Sequence, residues 1–170
     1  SADYIKQYIN TAIIADGGWW NIAAKKITVP GLCLEFGVYK GESINFFSQM
    51  CSDRIWYGFD SFKGFQEDWV GGYFGKDSFS MNGKIPKVNK NVKLIKGWFK
   101  DTLPNFLLKN DTNVSFVHID CDTYESTIEV LEMLGPKRFV KDCRVLFDEY
   151  LCYIGWKNGE FKAWKEFTKK

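Results

Sequence analysis

The sequence predicts a single α/β domain built on a doubly wound, mostly parallel sheet with helices on both faces. The chain has 170 residues, which is the usual length of one domain. Segments typical of strands alternate with segments in which apolar residues recur at helical spacing. The strand segments are apolar almost throughout, as is typical of parallel strands that are covered on both faces.

Two helices are predicted before the first strand. Apolar residues recur every three or four positions in residues 4–14, and Gly17 and Gly18 end this helix. A second, shorter helix is predicted over residues 19–26. Residues 1–28 are therefore expected to form a helical brace or a lid on the single domain, residues 1–170.

Strands and helices then alternate to the end of the chain. The predicted strands cover residues 32–36, 54–60, 92–97, 114–120 and 143–150, and the predicted helices cover residues 42–50, 101–109, 126–134 and 160–167. Between the second and third strands lies a long loop, residues 63–91, which exceeds normal connection lengths. Its glycines and the aromatic residues Phe65, Trp69, Tyr73 and Phe74 predict a lid or a substrate-binding loop.

Polar residues follow all five predicted strands at the point where each strand ends. In open α/β sheets, ligands bind at the carboxyl ends of the strands. We therefore expect one site at this edge of the sheet. The residues concerned are Glu35 to Gly41 after the first strand, Asp60 after the second, Gly97 and Trp98 after the third, Asp120 and Asp122 after the fourth, and Asp148 and Glu149 at the fifth.

The loop after the first strand, "EFGVYKGES", favours a ligand without phosphate groups. A dinucleotide fingerprint requires G-x-G-x-x-G, and Tyr39 stands where the second glycine would be. Asp60, at the end of the second strand, is placed to accept hydrogen bonds from ribose hydroxyls. The alternative is that Asp60 is an ordinary exposed aspartate at a strand end.

Charge and cysteine content exclude several classes of protein. Basic and acidic residues number 23 and 21, which argues against nucleic-acid binding, since such proteins usually concentrate positive charge. No apolar run is long enough to cross a membrane, and no charged-then-apolar leader begins the chain. Five cysteines, an odd number without C-x-x-C spacing, indicate a reducing, cytoplasmic compartment. The sequence does not distinguish a monomer from a homo-oligomer.

Five motifs, "LEFGVYKGESI", "YGFDSFKGF", "GWFKDTLP", "HIDCDTYEST" and "LFDEY", occur in this order at the predicted strand ends. Together they resemble the class I S-adenosylmethionine-dependent methyltransferases, and specifically the macrocin O-methyltransferase family, over about residues 30–167. The resemblance implies a Rossmann-like sheet. Because that family adds two further strands, either the chain is part of a longer protein or its sheet is reduced.

The resemblance also implies which residues bind S-adenosylmethionine and a metal ion. The family pattern at the fifth strand is usually Asp-Asp-Tyr, whereas this chain has Asp148-Glu149-Tyr150. Glu149 is longer than aspartate and can alter the geometry of the metal site. The implied cofactor-binding residues are Glu35, Gly37, Gly41, Ser43, Asp60, Ser61, Phe62, Gly97, Trp98, Phe99 and Asp120, and the implied metal ligands are Asp120, Asp148 and Glu149.

These observations predict a Mg²⁺-assisted O-methyltransferase that acts on a hydroxyl of a small molecule, such as a sugar or natural product. Carboxylate ligands without a His or Cys cluster select Mg²⁺ or Mn²⁺. Asp120 and Asp122 are the expected catalytic residues, Asp122 also as the N-cap of the helix that follows. His118 is expected to be a packed strand residue. The alternatives are a catalytically silent cofactor-binding module and a metal-dependent hydrolase.

Overall fold

A computed structural model describes residues 2–8, 18–69, 74–75 and 78–169. The strands are β1 (Leu32–Phe36), β2 (Trp56–Asp60), β3 (Val92–Lys96), β4 (Val114–Ile119) and β5 (Phe139–Phe147). The helices are α1 (Ala2–Tyr8), α2 (Trp19–Lys25), α3 (Glu42–Met50), α4 (Phe99–Lys109), α5 (Tyr124–Leu134) and α6 (Glu160–Phe167). None of the helices in these ranges is long and apolar enough to cross a membrane.

The five strands form one parallel sheet in the order β3-β2-β1-β4-β5. The chain runs outward from β1 to β3 and then returns to place β4 and β5 on the other side of β1. The predicted doubly wound parallel sheet is therefore confirmed. The strand order reverses between β1 and β4, and this reversal leaves a crevice at their carboxyl ends where ligands bind in such sheets.

Side chains that alternate along the strands cover the two faces of the sheet. Leu34 and Phe36 of β1 point into one core, which α4 and α5 complete with Leu103 and Val130. Cys33 of β1 points into the opposite core, where α2 and α3 pack. Burial on both faces explains why the central strands β1 and β4 are apolar almost throughout, as the sequence indicated.

The predicted bounds differ from the observed ones mainly at β5 and at helix starts. β5 begins at Phe139 rather than at residue 143 and ends at Phe147. Its first half contains Lys141 and Asp142, which are exposed, so no apolar run marked it. Helices α4 and α5 each begin two residues before the predicted start, at Phe99 and Tyr124.

Two predicted segments lie partly outside the described residues. These are the end of the first helix, residues 9–14 with Gly17, and part of the long loop that includes Gly71, Gly72 and Tyr73. The described part of the long loop forms no helix or strand. Within the first 28 residues, Tyr4 of α1 packs on Phe161 of α6 with ring centroids 5.1 Å apart, and Trp20 of α2 packs on Phe46 of α3 at 5.4 Å.

Gly37 allows the loops after β1 and β4 to touch. The backbone N–H of Asp120 donates to the Phe36 carbonyl (2.9 Å), so the β4 chain continues alongside β1 past its end. Gly37 has φ +90°, and a Cβ built there would collide with the carbonyl oxygen of Asp120. Only glycine fits this position, for reasons of both space and backbone angle.

Gly37→Ala should therefore destabilise the fold more than a glycine substitution that meets only the backbone penalty. Gly18→Ala is the matched control, because Gly18 has φ +68° but its Cβ would lie 3.9 Å from the nearest heavy atom. We expect Gly18→Ala to lower the free energy of unfolding by about 1–2 kcal/mol. Gly37→Ala should lower it by at least about 3 kcal/mol, because it adds overpacking to the backbone penalty. Urea unfolding measures both, and equal losses would contradict the proposed collision.

Candidate functional site

A cavity of about 350 Å³ opens at the carboxyl edge of the sheet, where β1, β2, β4 and β5 end. It lies at the strand-order reversal, as the sequence predicted. Its walls come from the loop after β1, the start of α4, the long loop and the segments after β4 and β5. The predicted site residues that line it are Gly37, Ser43, Asp60, Ser61, Trp98, Phe99, Asp120, Asp122, Asp148 and Glu149.

Four predicted cofactor residues do not line the cavity. Glu35 is fully buried and Phe62 is 1% exposed, so both lie behind its wall. Gly41 is the N-cap of α3, and Gly97 follows β3 with φ +147°. These two glycines shape the backbone from outside the cavity.

Sequence reasoning missed about half of the lining. Trp20 comes from α2, and Phe79 comes from the long loop at a position that no motif marked. No local pattern indicates which remote segment will fold over a strand end, which is why these residues were not found. Val38, Tyr39 and Lys40 lie in the segment 35–41, and Gly64, Phe65 and Gln66 lie in the long loop; both segments were expected at the site, although these residues were not named individually as site residues. Glu42, Cys121 and Ser126 also line the cavity and were not predicted.

Asp60 holds the loop after β1 in shape. Its Oδ2 accepts hydrogen bonds from the backbone N–H groups of Val38 and Tyr39, both at 2.8 Å. Its Oδ1 accepts from the N–H of Phe62 at 2.6 Å. A carboxylate has about four acceptor positions, so most of its capacity is used within the protein. Asp60 therefore organises the loop after β1, residues 37–41, which we call the glycine loop. A ribose hydroxyl would find one acceptor position on Asp60 rather than two free oxygens.

A buried polar network connects α3 and β1 to β4, next to the end of β5. Ser43 donates to Oε1 of Glu35 at 3.0 Å, and Nδ1 of His118 lies 3.0 Å from Oε2 of the same carboxylate. The other ring nitrogen, Nε2, lies 4.0 Å from Oδ1 of Asp148. Burial lowers the pKa of His118, but the hydrogen bond and charge of Glu35 outweigh burial and raise it. His118 is thus the packed, hydrogen-bonded strand residue that was expected.

Three carboxyl groups meet at the ends of β4 and β5. One oxygen from each of Asp120, Asp148 and Glu149 lies within 4.8 Å of the others. Burial raises the pKa of Asp120 well above its usual range, and the Asp148 charge adds to this rise. Burial and then the charge of Asp122 raise the pKa of Glu149 to about 11. Without a cation, Glu149 therefore retains its proton at neutral pH.

Asp122 is not the N-cap of α5, contrary to the prediction. Thr123 is the cap, and its side chain accepts the N–H of Ser126 at 3.2 Å. Asp122 instead has φ +64°, a backbone conformation that aspartate adopts more readily than most residues. This turns its side chain into the cavity, where its carboxyl is hydrogen-bonded to Glu149. Burial raises the pKa of Asp122 to about 6, although that hydrogen bond opposes the rise.

The long loop contacts the side of the cavity that carries Asp120, Asp148 and Glu149, which we call the carboxylate side. Thr123 donates from its hydroxyl to Glu67 at 2.8 Å, and Trp69 stacks on Tyr153, beyond β5, with ring centroids 5.1 Å apart. Phe79 packs against Tyr39 at 5.4 Å. In this arrangement the loop covers the cavity with aromatic side chains. Whether it moves when a ligand binds stays a prediction.

Comparison with known proteins gives one matching family model. A model described as a methyltransferase domain matches residues 34–150. This range begins in β1 and ends just after the carboxylates of β5, so it contains most of the residues that line the cavity.

Two curated relatives are O-methyltransferases. The chain is 28% identical over 173 residues to the 8-demethyl-8-(2,3-dimethoxy-alpha-L-rhamnosyl)-tetracenomycin-C 4'-O-methyltransferase of Streptomyces olivaceus, covering 85% of this chain and 58% of that protein. It is 27% identical over 146 residues to the demethyldecarbamoylnovobiocin O-methyltransferase of Streptomyces niveus, covering 73% and 55%. The chain therefore spans little more than half the length of these relatives.

Solved structures share the fold. The crystal structure of CalS11, a calicheamicin methyltransferase, matches with a TM-score of 0.73 and 25% identity, over 87% of this chain and 68% of that chain. The O-methyltransferase NovP matches with a TM-score of 0.62 and 24% identity, over 88% and 69%. Both likenesses cover the sheet that positions the cavity.

Asp60→Asn should weaken the binding of S-adenosylhomocysteine at least about tenfold and lower the melting temperature. An amide has one acceptor oxygen, so at least one of the three backbone N–H groups would face its NH₂ group, and each such bond to a carboxylate contributes about 1.5–3 kcal/mol. Calorimetric titration measures the affinity. The control is Asp101→Asn, at an exposed position in α4. Unchanged affinity in Asp60→Asn would mean that the glycine loop does not need this carboxylate.

The protein without divalent cations should lose stability as pH rises from about 5 to 8. The carboxyl groups of Asp120, Asp122 and Glu149 have raised pKa values, so the folded state retains protons that unfolded carboxyls release above about pH 4. Each retained proton lowers the free energy of unfolding by about 1.4 kcal/mol per pH unit, which corresponds to a melting temperature lower by about 3–6 °C.

Calorimetric melting at matched ionic strength, with and without Mg²⁺, measures this effect. Mg²⁺ should restore more stability at pH 8 than at pH 5, because it replaces the protons. Glu149→Gln should flatten the pH dependence. A melting temperature that rises over this range in the cation-free protein would contradict the assignment of raised pKa values.

Proposed function

Because the chain belongs to the family of methyltransferase domains, we propose that it is an S-adenosylmethionine-dependent O-methyltransferase that acts on a hydroxyl of a small molecule. The observation that carries the proposal is the composition of the cavity wall. One cavity is lined both by the glycine loop that Asp60 organises and by three carboxyl oxygens within 4.8 Å of one another. The first feature suits a nucleoside cofactor, and the second suits a cation beside an acceptor oxygen.

The residues around the glycine loop fit S-adenosylmethionine. Gly37, Ser43, Asp60 and Ser61 all line the cavity, and the last three offer polar groups to it. Trp98 and Phe99 supply an aromatic wall for an adenine ring. These residues would hold the cofactor, with Asp60 offering its remaining acceptor position to the ribose.

The carboxylate group fits a hard divalent cation. Asp120, Asp148 and Glu149 provide only oxygen ligands, which Mg²⁺ and Mn²⁺ prefer. Burial raises the pKa values of Asp120 and Glu149, which indicates that their charged forms need neutralisation. Glu149, one methylene longer than the aspartate usual in the family, still brings an oxygen into the group. These three residues would hold Mg²⁺.

When bound, the cofactor supplies an electrophilic methyl group, and the cation lowers the pKa of a hydroxyl and stabilises the resulting oxygen. The carboxylate of Asp122 can accept the proton that the acceptor hydroxyl loses, since its pKa of about 6 leaves it ionised at neutral pH. The aromatic side chains of Tyr39, Phe65 and Phe79 line the cavity and exclude water from it.

The acceptor we propose is a sugar hydroxyl on a natural product. The curated relative from Streptomyces olivaceus is named for methylation at position 4' of a rhamnosyl tetracenomycin. Aromatic side chains on several walls of the cavity suit the apolar faces of such a molecule.

Removing the cation should abolish methyl transfer while leaving cofactor binding intact. With radiolabelled S-adenosylmethionine and a rhamnosylated tetracenomycin as acceptor, we expect excess chelator, Asp120→Asn or Asp148→Asn to lower transfer at least about 100-fold. The affinity for S-adenosylhomocysteine should change by less than about threefold, because these ligands belong to the acceptor side. Glu149→Asp should remain active.

Asp53→Asn, at an exposed position, is the control for the loss of one carboxylate. Full transfer in excess chelator, with both asparagine variants active, would contradict the role of the cation. Binding of S-adenosylhomocysteine without transfer to any glycosylated acceptor would favour a silent binding module.

A further inference from the structure

We propose that Glu160 is a positioning residue that sets the place of Glu149 in the carboxylate group. The inference rests on the proposed function, because it concerns how the chain presents a cation ligand. Glu160 is the first residue of α6 and is fully buried. Its Oε2 accepts a hydrogen bond from the backbone N–H of Glu149 at 3.1 Å. The side chain does not line the cavity.

The sheet positions the other two carboxylates through backbone hydrogen bonds. The N–H of Asp120 donates to the Phe36 carbonyl at 2.9 Å, and the N–H of Asp148 donates to the Ile119 carbonyl at 3.0 Å. Glu149 lies one residue beyond this pairing, where β5 has already ended. The Glu160 carboxylate accepts its N–H instead. Glu160 thus accepts the backbone N–H of Glu149, as the neighbouring strand β4 accepts the N–H of Asp148.

Packing against α5 fixes the position of helix α6, which carries Glu160. Ala163 and Phe167 of α6 pack with Leu131 of α5 in a buried cluster. Tyr124 of α5 donates its hydroxyl to Glu166 of α6 at 2.6 Å. Because α5 directly follows the β4 loop that carries Asp120 and Asp122, this packing ties the position of Glu149 to that of the other carboxylates.

The arrangement is not one that stability alone would favour. Oε1 of Glu160 has no hydrogen-bond partner, and neither does the buried hydroxyl of Tyr153. A Cβ at Gly159 would collide with that hydroxyl, so Tyr153 lies directly against the start of α6. Burying a carboxylate with an unpartnered oxygen costs free energy. An apolar residue at position 160 would avoid this cost but could not accept the Glu149 N–H.

Loss of this hydrogen bond should weaken cation binding rather than cofactor binding. The Glu149 side chain starts from a backbone that Glu160 holds, and partners of this kind typically change metal affinity about 10–100-fold when removed. The loop after β1 has its own support in Asp60, which accepts the backbone N–H groups of Val38 and Tyr39. The effect should therefore be confined to the carboxylate side of the cavity.

The test is a titration of the full chain with Mn²⁺, monitored by electron paramagnetic resonance, in wild type, Glu160→Ala, Glu160→Gln and Asp53→Ala. We expect Glu160→Ala to weaken Mn²⁺ binding at least about tenfold. Glu160→Gln should stay within about threefold of wild type, because its amide oxygen can accept the same N–H. Asp53→Ala, the control, removes an exposed carboxylate that lies before β2, at the opposite edge of the sheet, and should leave the Mn²⁺ affinity unchanged.

The folding of each variant is checked by circular dichroism melting, and its cofactor site by titration with S-adenosylhomocysteine. If Glu160→Ala does not fold, the comparison of Glu160→Gln with wild type tests the proposal. Equal Mn²⁺ affinity in wild type and Glu160→Ala would overturn the proposal. It would also be overturned if Glu160→Gln bound Mn²⁺ as weakly as Glu160→Ala, because the effect would then come from the charge of Glu160 and not from its hydrogen bond. If the wild type itself binds no Mn²⁺, the proposed cation site fails instead.

Discussion

Mutual repulsion of three carboxyl groups at the ends of β4 and β5 is the constraint on which this site depends. Parallel pairing of the two strands forces Asp120 and Asp148 to the same edge, and Glu149 follows directly. Buried carboxylates at such distances cannot all be charged unless a cation or protons neutralise them. Burial, to which the charges of neighbouring carboxylates add, raises the pKa values of Asp120 and Glu149. The proposed chemistry uses the same feature.

Behind this group, buried polar side chains hold the site together. Glu35 and His118 link Ser43, at the start of α3, to Asp148. Glu160 holds the backbone of Glu149 from the opposite side. Neither Glu35 nor Glu160 lines the cavity, yet each determines where a residue that does line it can lie. The loop after β1 has its own support in Asp60, whose carboxylate accepts the backbone N–H groups of Val38 and Tyr39.

The alternation of apolar segments was enough to predict most of the fold. The parallel sheet, the order of its elements, the ends of β1 and β2 and the bounds of α3 and α6 follow from local periodicity and turn residues. The resemblance to class I methyltransferases is confirmed by the family to which the chain belongs. The polar residues after each strand could also be assigned to one edge, because parallel strands all end on the same side of a sheet.

Tertiary structure decided which of those residues line the cavity and which lie behind its wall. The resemblance implied Glu35 and Phe62 as cofactor-binding residues, and the structure places both behind the cavity wall. Asp122 was expected both in the site and as a helix cap; it lines the cavity, but Thr123 is the cap. Trp20 and Phe79 reach the cavity from segments distant in sequence, and Glu160 looked like an ordinary helix-start residue. Periodicity is a local property and predicts elements. Which side chain meets a strand end depends on packing between distant segments, which no local pattern records.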